Sequence, residues 1–86
     1  MSKKTKPIPK PAPNQALSAS HLRAARAFLN WTQTEASKRI DITQASLSMI
    51  EQEAVDPRYS TFSKIADTYR EAGVEFKTID GKIFVG

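Results

Sequence analysis

The sequence contains no cysteine, only three glycines and a single histidine among its 86 residues. The absence of cysteine excludes disulfide bonds and thiolate chemistry, and the lone histidine has no neighbours at metal-ligand spacing. A glycine-rich phosphate loop and a pair of catalytic carboxylates are also missing, so we expect no enzyme, no metal site and no cofactor. His21 is therefore expected to be an ordinary surface residue in the exposed first turn of a helix.

Long apolar runs are missing as well. No window approaches the roughly 20 apolar residues of a membrane span, and the basic N-terminal stretch lacks the apolar run of a signal peptide. These features predict a soluble cytoplasmic protein without membrane contact. With 40% hydrophobic residues, the chain has material for one small domain.

The net charge of +4 is concentrated at the N-terminus. Residues 1–16 contain four lysines and no acid, together with four prolines that block helix and interior strand. We expect a disordered, semi-rigid arm, which is either a solvated leader or a segment that follows DNA phosphates. In the remainder, basic and acidic residues cancel, although the basic ones outnumber the acidic ones between residues 17 and 50.

A first helix is marked at both ends. Leu17 and Leu22 flank Ser18, the expected N-cap, as a hydrophobic staple. Apolar residues recur at helical spacing up to Leu29. Asn30 tolerates the left-handed conformation and is expected to end the helix.

Two short capped helices separated by a tight turn follow. Residues 32–35, with the sequence TQTE, form a capping box that begins a second helix ending near Ile40. Asp41 occupies the turn, where a left-handed residue is required. Thr43 is the expected N-cap of a third helix from Gln44 to about Gln52.

The last third of the chain changes from a helical to a strand pattern. A fourth helix is expected from about Tyr59 to Ala72, capped by Asp56 or Ser60 and ended by Gly73. Its predicted apolar stripe consists of Tyr59, Phe62, Ile65, Ala66 and Tyr69.

A β-hairpin is predicted at residues 74–86. Asp80-Gly81 lies between two apolar-rich runs, and a two-residue turn there pairs Phe76 with Val85. Two strands alone are marginal, so the hairpin either lies on the helices or pairs with the same hairpin of a second subunit. The leftover apolar side chains favour a homodimer, with five candidate dimerisation residues: Phe76, Ile79, Ile83, Phe84 and Val85.

Across its four predicted helices, the chain resembles the Cro/repressor-type (Xre-like) helix-turn-helix family. The resemblance covers roughly Leu17 to Gly73. It rests on the start of the second helix at Thr32-Gln33, the start of the third helix at Ile42-Thr43, and Ile50-Glu51 near the end of the third helix. It implies a mainly α fold, a lambda-repressor-like helix-turn-helix bundle of four to five helices, here followed by the C-terminal β-hairpin. It also implies a DNA-binding domain at 17–73 that binds double-stranded operator DNA, generally as a dimer and often as a repressor.

The start of the third helix carries the expected base contacts. A helix-turn-helix places its second helix in the major groove, where a glutamine amide can pair with adenine and an alanine methyl can meet thymine. The expected base-reading residues are the outward ones, Gln44, Ala45, Ser48 and Met49. The expected phosphate-binding residues are Gln33, Thr43, Arg58 and Tyr59. The resemblance further implies that Gln33 braces Gln44 and that Arg26 and Glu51 form an internal salt bridge.

Three acidic residues depart from the family pattern. Asp41 replaces the common turn glycine, and Glu53 stands where a glycine often ends the third helix. With Asp56, Glu53 makes the following loop acidic. We therefore expect modest affinity per subunit and a larger dependence on dimerisation or on the lysine arm.

The preferred hypothesis is a sequence-specific DNA-binding transcriptional regulator, most simply a repressor, that reads DNA with residues 44–48. The alternative is a protein-interaction module, such as an antitoxin or a cofactor, that holds a protein partner through its hairpin, acidic second half or arm. The small, polar start of the third helix opposes that alternative, because a partner groove would need aromatic or aliphatic anchors there.

Overall fold

The computed structural model describes residues 17–86, which form four helices and one antiparallel hairpin. The elements are α1 (Ala19–Phe28), α2 (Gln33–Ile40), α3 (Gln44–Glu51), α4 (Tyr59–Glu71), β1 (Phe76–Ile79) and β2 (Lys82–Val85). The predicted mainly α bundle with a C-terminal hairpin is confirmed. The lysine arm predicted at residues 1–16 lies outside the described residues.

The first helix begins where the staple predicts, but its cap uses an unexpected partner. Ser18 is the N-cap of α1, and its backbone N–H donates to Nδ1 of His21 at 2.9 Å. Capping boxes usually use glutamate or glutamine at this third helical position. His21 lies in the first turn as predicted, but it is half-buried and caps the helix, so it is not the ordinary surface residue that was expected.

The helix-turn-helix corner forms at the predicted positions, but the capping box predicted for α2 is only half formed, because the Glu35 carboxylate pairs with Arg39 and not with the Thr32 amide. Thr32 accepts a hydrogen bond from the Glu35 amide and Thr43 accepts one from the Ser46 amide, both at 3.0 Å. Between these caps Asp41 adopts φ 72° and ψ 49°, the left-handed conformation. In each short helix, one free backbone amide of the first turn therefore donates to the hydroxyl oxygen of the N-cap residue.

The start of α4 differs from the prediction. Its N-cap is Arg58, whose side chain forms no capping bond, so neither Asp56 nor Ser60 caps the helix. Tyr59 is 51% exposed and does not belong to the apolar stripe, because the first turn of α4 projects beyond the core. Phe62, one turn later, is partly buried against the core, and the fully buried stripe consists of Ile65, Ala66 and Tyr69.

The end of α4 closes on Val74. Gly73 has φ 112°, and the amide of Val74 donates to the carbonyl of Tyr69 at 3.0 Å. This turn buries Val74 and directs the chain into the hairpin. The core contains apolar side chains from all four helices and this turn: Leu17, Leu22, Ala25, Ala36, Ile40, Leu47, Ile50, Ile65, Ala66, Tyr69 and Val74.

The hairpin has the predicted register, with Phe76 opposite Val85 and Ile79 opposite Lys82. Its turn residues Asp80 and Gly81 have φ 53° and 78°, and positive values at both central positions characterise the type I′ turn. One face of the hairpin packs against the core of its own chain through three side chains: Phe76, Ile83 and Val85. On the other face Ile79 and Phe84 are each 53% exposed.

This packing narrows the dimerisation prediction. Of the five candidate residues, the three on the inner face are engaged with their own core, and β2 lies against α1. We call Ile79 and Phe84 the outer hairpin face. Between Leu17 and Gly86, none of the helices has the length and apolar character that crossing a bilayer requires.

Candidate nucleic-acid interface

One side of α3 is exposed and the other belongs to the core. Gln44 and Ala45 are exposed at its first turn, and Met49 is 45% exposed one turn later. Leu47 and Ile50 are buried on the opposite side. The helix therefore presents small, uncharged side chains outward from its N-terminal end, as a reading helix requires.

Ser48 lies at the edge of this exposed side. It is half-buried, and its hydroxyl accepts a hydrogen bond from Nε2 of Gln52 at 2.9 Å. The hydroxyl keeps its own hydrogen for a further acceptor.

Gln44 is held by a neighbour on α2. The hydroxyl of Thr34 donates to Oε1 of Gln44 at 3.0 Å, and both side chains are exposed. The residue expected to brace Gln44 was Gln33, so this detail of the prediction is wrong. Gln33 is half-buried and its Nε2 donates instead to Oε1 of Glu51 at 3.0 Å. A buried carboxylate needs donors, and this need directs Gln33 inward.

The ion pair implied between α1 and α3 is formed. Nε and Nη2 of Arg26 donate to the two carboxylate oxygens of Glu51 at 2.7 and 2.9 Å, in a bidentate arrangement. The third Arg26 nitrogen, Nη1, donates to the Trp31 carbonyl at 3.0 Å. The hydrogen bond to Glu51 raises the pKa of Arg26, so this guanidinium stays charged at any ordinary pH.

This pair closes a larger network around the end of α3. The Arg23 guanidinium donates to the main-chain carbonyl of Glu51, and Gln33 adds the bond described above. The Glu51 side chain is 2% exposed and accepts from two different residues. The network ties the end of α3 to α1 and to the start of α2.

The remaining basic residues of the first half are partly neutralised. Arg39 lies over the Trp31 ring, with its guanidinium carbon 4.5 Å from the ring centroid, and pairs with Glu35 at 3.5 Å. Lys38 is exposed and forms no ion pair within residues 17–86. The positive charge predicted for this half of the domain is therefore mostly engaged with protein groups.

The side of the site beyond α3 is acidic. Glu53 and Asp56 are exposed, and Glu53 has φ 59°, the left-handed conformation for which the family pattern favours glycine. Arg58 and Tyr59 are exposed just after this loop, at the start of α4. The structure thus places the two expected phosphate contacts of α4 next to two carboxylates.

Thr43 has a structural task at the start of α3. Its oxygen caps the helix, and its hydroxyl hydrogen goes to the Ser46 hydroxyl at 2.9 Å. A phosphate contact at this position therefore has to use the backbone amide.

A buried tyrosine lies beside the Glu51 network. Tyr69 is fully buried, with its ring 6.0 Å from that of Trp31, and its hydroxyl has no hydrogen-bond partner in the part of the chain described. Burial, and secondarily the charge of Glu51, raises the pKa of the Tyr69 hydroxyl. No cluster of His, Asp and Glu side chains suited to a metal occurs between residues 17 and 86.

Comparison with known families agrees with this geometry. Residues 22–76 match a family described as helix-turn-helix, a span that includes all four helices apart from the first turn of α1. A search of curated proteins found no match to the chain. The matched span exceeds half of the 86 residues. The chain therefore belongs to the Cro/repressor-type (Xre-like) helix-turn-helix family of DNA-binding regulators.

Proposed function

We propose that the protein is a sequence-specific transcriptional repressor that reads the major groove with residues 44–48. The observation that supports this proposal most directly is the exposed, uncharged start of α3. Gln44 offers an oriented amide, Ala45 a methyl group and Ser48 a hydroxyl, which are suitable partners for base edges. Met49 adds an apolar contact at the edge of the groove.

Phosphate contacts come from groups around this helix. Arg58 and Tyr59 approach one strand from the start of α4, while Gln33 contributes the amide hydrogen that Glu51 does not take. The backbone amides at the starts of α2 and α3, including that of Thr43, complete the set. Because most basic side chains of residues 17–50 are engaged with protein groups, the helical domain of each subunit binds DNA modestly, and binding weakens as salt rises.

A second copy supplies the missing affinity. We place the homodimer contact at the outer hairpin face, because Ile79 and Phe84 form an exposed apolar pair on a two-stranded sheet. Two reading helices related by a two-fold axis would then meet half-sites about 10 bp apart. The cytoplasmic location expected of such a regulator stays a prediction.

Selection from random DNA duplexes, followed by sequencing of the bound fraction, tests the function. The expected result is one enriched site with two-fold symmetry and half-sites about 10 bp apart. If no sequence were enriched and binding depended only on salt, the proposal of a sequence-specific regulator would be excluded.

Sedimentation of two lysine variants tests the dimer. Ile79→Lys introduces a charge at the outer hairpin face and should convert the dimer to a monomer. Val55→Lys makes the same kind of change at a site that is 41% exposed and distant in sequence from the hairpin, and should leave the dimer intact. A wild-type monomer, or equal dissociation of both variants, would exclude this interface.

The second candidate function is a protein-interaction module built on the same bundle. The apolar residues Phe28, Ile79 and Phe84 are all more than half exposed, and such residues suit a protein partner as well as a second copy. This role is favoured over sequence-specific regulation if selection yields no site and the outer hairpin face holds a different protein.

A further inference from the structure

We infer that Thr34 determines which base Gln44 prefers, by holding the amide oxygen of Gln44 and leaving its amide nitrogen for DNA. This inference rests on the proposed function, since it concerns the base contact made by α3. Thr34 is absent from the contacts predicted from the sequence. Its hydroxyl nevertheless makes the hydrogen bond described for Gln44, at 3.0 Å.

The bond joins two helices that the core holds in fixed positions. Thr34 lies in the first turn of α2 and Gln44 is the first residue of α3, on either side of the turn at Asp41. Both helices are anchored beneath by buried side chains, including those of Ile40 and Leu47. The partner of Gln44 is therefore stationary, and the bond fixes a side chain that otherwise rotates about three bonds.

Neighbouring donors do not compete for this role. Gln33 is adjacent to Thr34, but its amide nitrogen donates to the buried carboxylate of Glu51. The Thr43 hydroxyl donates to Ser46. Among residues 17–86, Thr34 is the side chain that orients the Gln44 amide.

The orientation decides what the amide offers. A bidentate glutamine-adenine contact needs Oε1 as acceptor and Nε2 as donor at the same time. When Oε1 faces Thr34, the two hydrogens of Nε2 are the groups that meet the groove. Guanine presents two acceptors there, N7 and O6, whereas adenine presents one acceptor and one donor. Thr34 therefore directs Gln44 toward guanine and away from adenine.

Affinity measurements on a series of duplexes test this step. The parent duplex is the selected site, in which the base pair contacted by Gln44 is located with Gln44→Ala and then replaced by each of the four pairs. Wild type should bind the guanine site at least about fivefold more tightly than the adenine site. This ratio is the lower end of the discrimination that a bidentate base contact provides. Thr34→Val removes the hydroxyl and should shift that ratio toward adenine by about fivefold.

Three further variants separate orientation from a general structural effect. Thr34→Ser keeps a hydroxyl donor and should retain the guanine preference. Thr34→Ala should shift the ratio as Thr34→Val does, and it should not impair folding because alanine is a strong helix former. Thr68→Val removes a hydroxyl that donates to the Lys64 carbonyl within α4, and should leave the ratio unchanged.

The outcomes distinguish the inference from the function on which it rests. Equal binding of wild type to every sequence would remove the proposed function. Sequence-specific binding with an adenine preference in wild type would overturn only the role of Thr34. The same would follow if Thr34→Val weakened all four sites by one common factor, because a structural defect would produce that result.

Discussion

The two ends of α3 differ in almost every physical respect. At its N-terminal end, Gln44 and Ala45 are exposed and uncharged, and the Gln44 side chain accepts a bond from the Thr34 hydroxyl. At its C-terminal end, Glu51 is buried and accepts bonds from Arg26 and Gln33. The proposed function assigns the first end to DNA, whereas the other end fixes the helix on its own domain.

This difference explains where the basic residues of the first half are used. Arg23 and Arg26 both donate to Glu51, and Arg39 is engaged with Trp31 and Glu35. Arg23 and Arg26 thereby hold α3 in place, and all three arginines are engaged with groups of the protein itself. Under the proposed function, the domain therefore separates selection of the sequence from general attraction to DNA.

The largest expected effect comes from breaking the buried end. Arg26→Ala leaves the Glu51 carboxylate buried without its charge partner, and should lower the free energy of unfolding by about 3 to 5 kcal/mol. Urea denaturation measures this loss. Arg39→Ala is the control, since its exposed pair with Glu35 and its contact over the Trp31 ring should each contribute at most about 1 kcal/mol. Equal losses in both variants would show that the network does not anchor α3.

A smaller effect is expected from the unpaired hydroxyl beside the network. Tyr69→Phe removes a buried group without a described partner and keeps the ring, so it should raise the free energy of unfolding by about 1 kcal/mol. Tyr59→Phe changes an exposed ring and should have no measurable effect. A loss of stability in Tyr69→Phe would mean that the hydroxyl has a stabilising partner.

The same two variants should differ in how their free energy of unfolding changes at alkaline pH. Because burial raises the pKa of Tyr69 in the folded state, the unfolded chain loses this proton first, above about pH 10. The unfolded state then binds fewer protons than the folded state. The contribution of this hydroxyl to the free energy of unfolding is therefore fully present below about pH 10 and is lost as the pH rises further. Urea denaturation at pH 9 to 11 should show a shallower fall for Tyr69→Phe than for wild type or Tyr59→Phe. Identical slopes would contradict the shifted pKa.

The smallest expected effect concerns the acidic loop after α3. Glu53→Gln and Asp56→Asn remove exposed charges near Arg58, and each should strengthen binding by about 0.2 to 1 kcal/mol at low salt. The gain should be equal on the selected site and on random DNA, because phosphate attraction carries no sequence information. Fluorescence anisotropy titrations measure both. A gain confined to the selected site would place these carboxylates among the base contacts.

Local signals account for what could be predicted from the sequence. The caps at Thr32 and Thr43, the left-handed turn at Asp41 and the register around Asp80-Gly81 each depend on a few adjacent residues. Such preferences act within one turn or one hairpin. These features are therefore found in the structure at the predicted positions.

The directions of long side chains could not be predicted in the same way. Gln33 turns inward because Glu51, distant in sequence, needs a donor, and Thr34 takes the position expected of Gln33. Tyr59 has the spacing of the apolar stripe but lies beyond the core. The inner face of the hairpin is decided by its contact with α1. Each outcome depends on packing between elements, which periodicity within one element does not contain.

The most direct test compares two glutamines at opposite ends of α3. For Gln44→Ala and Gln52→Ala, the affinity for the selected site is measured relative to the affinity for random DNA of the same length. Gln44→Ala should lower this ratio by about 1 to 3 kcal/mol, because it removes a base contact. Gln52→Ala removes the bond to the Ser48 oxygen but leaves the Ser48 hydroxyl hydrogen available to DNA, so it should leave the ratio within a few tenths of a kcal/mol of wild type. An unchanged ratio for Gln44→Ala, or equal losses for both variants, would contradict the assignment of the N-terminal end of α3 as the part that selects the DNA sequence.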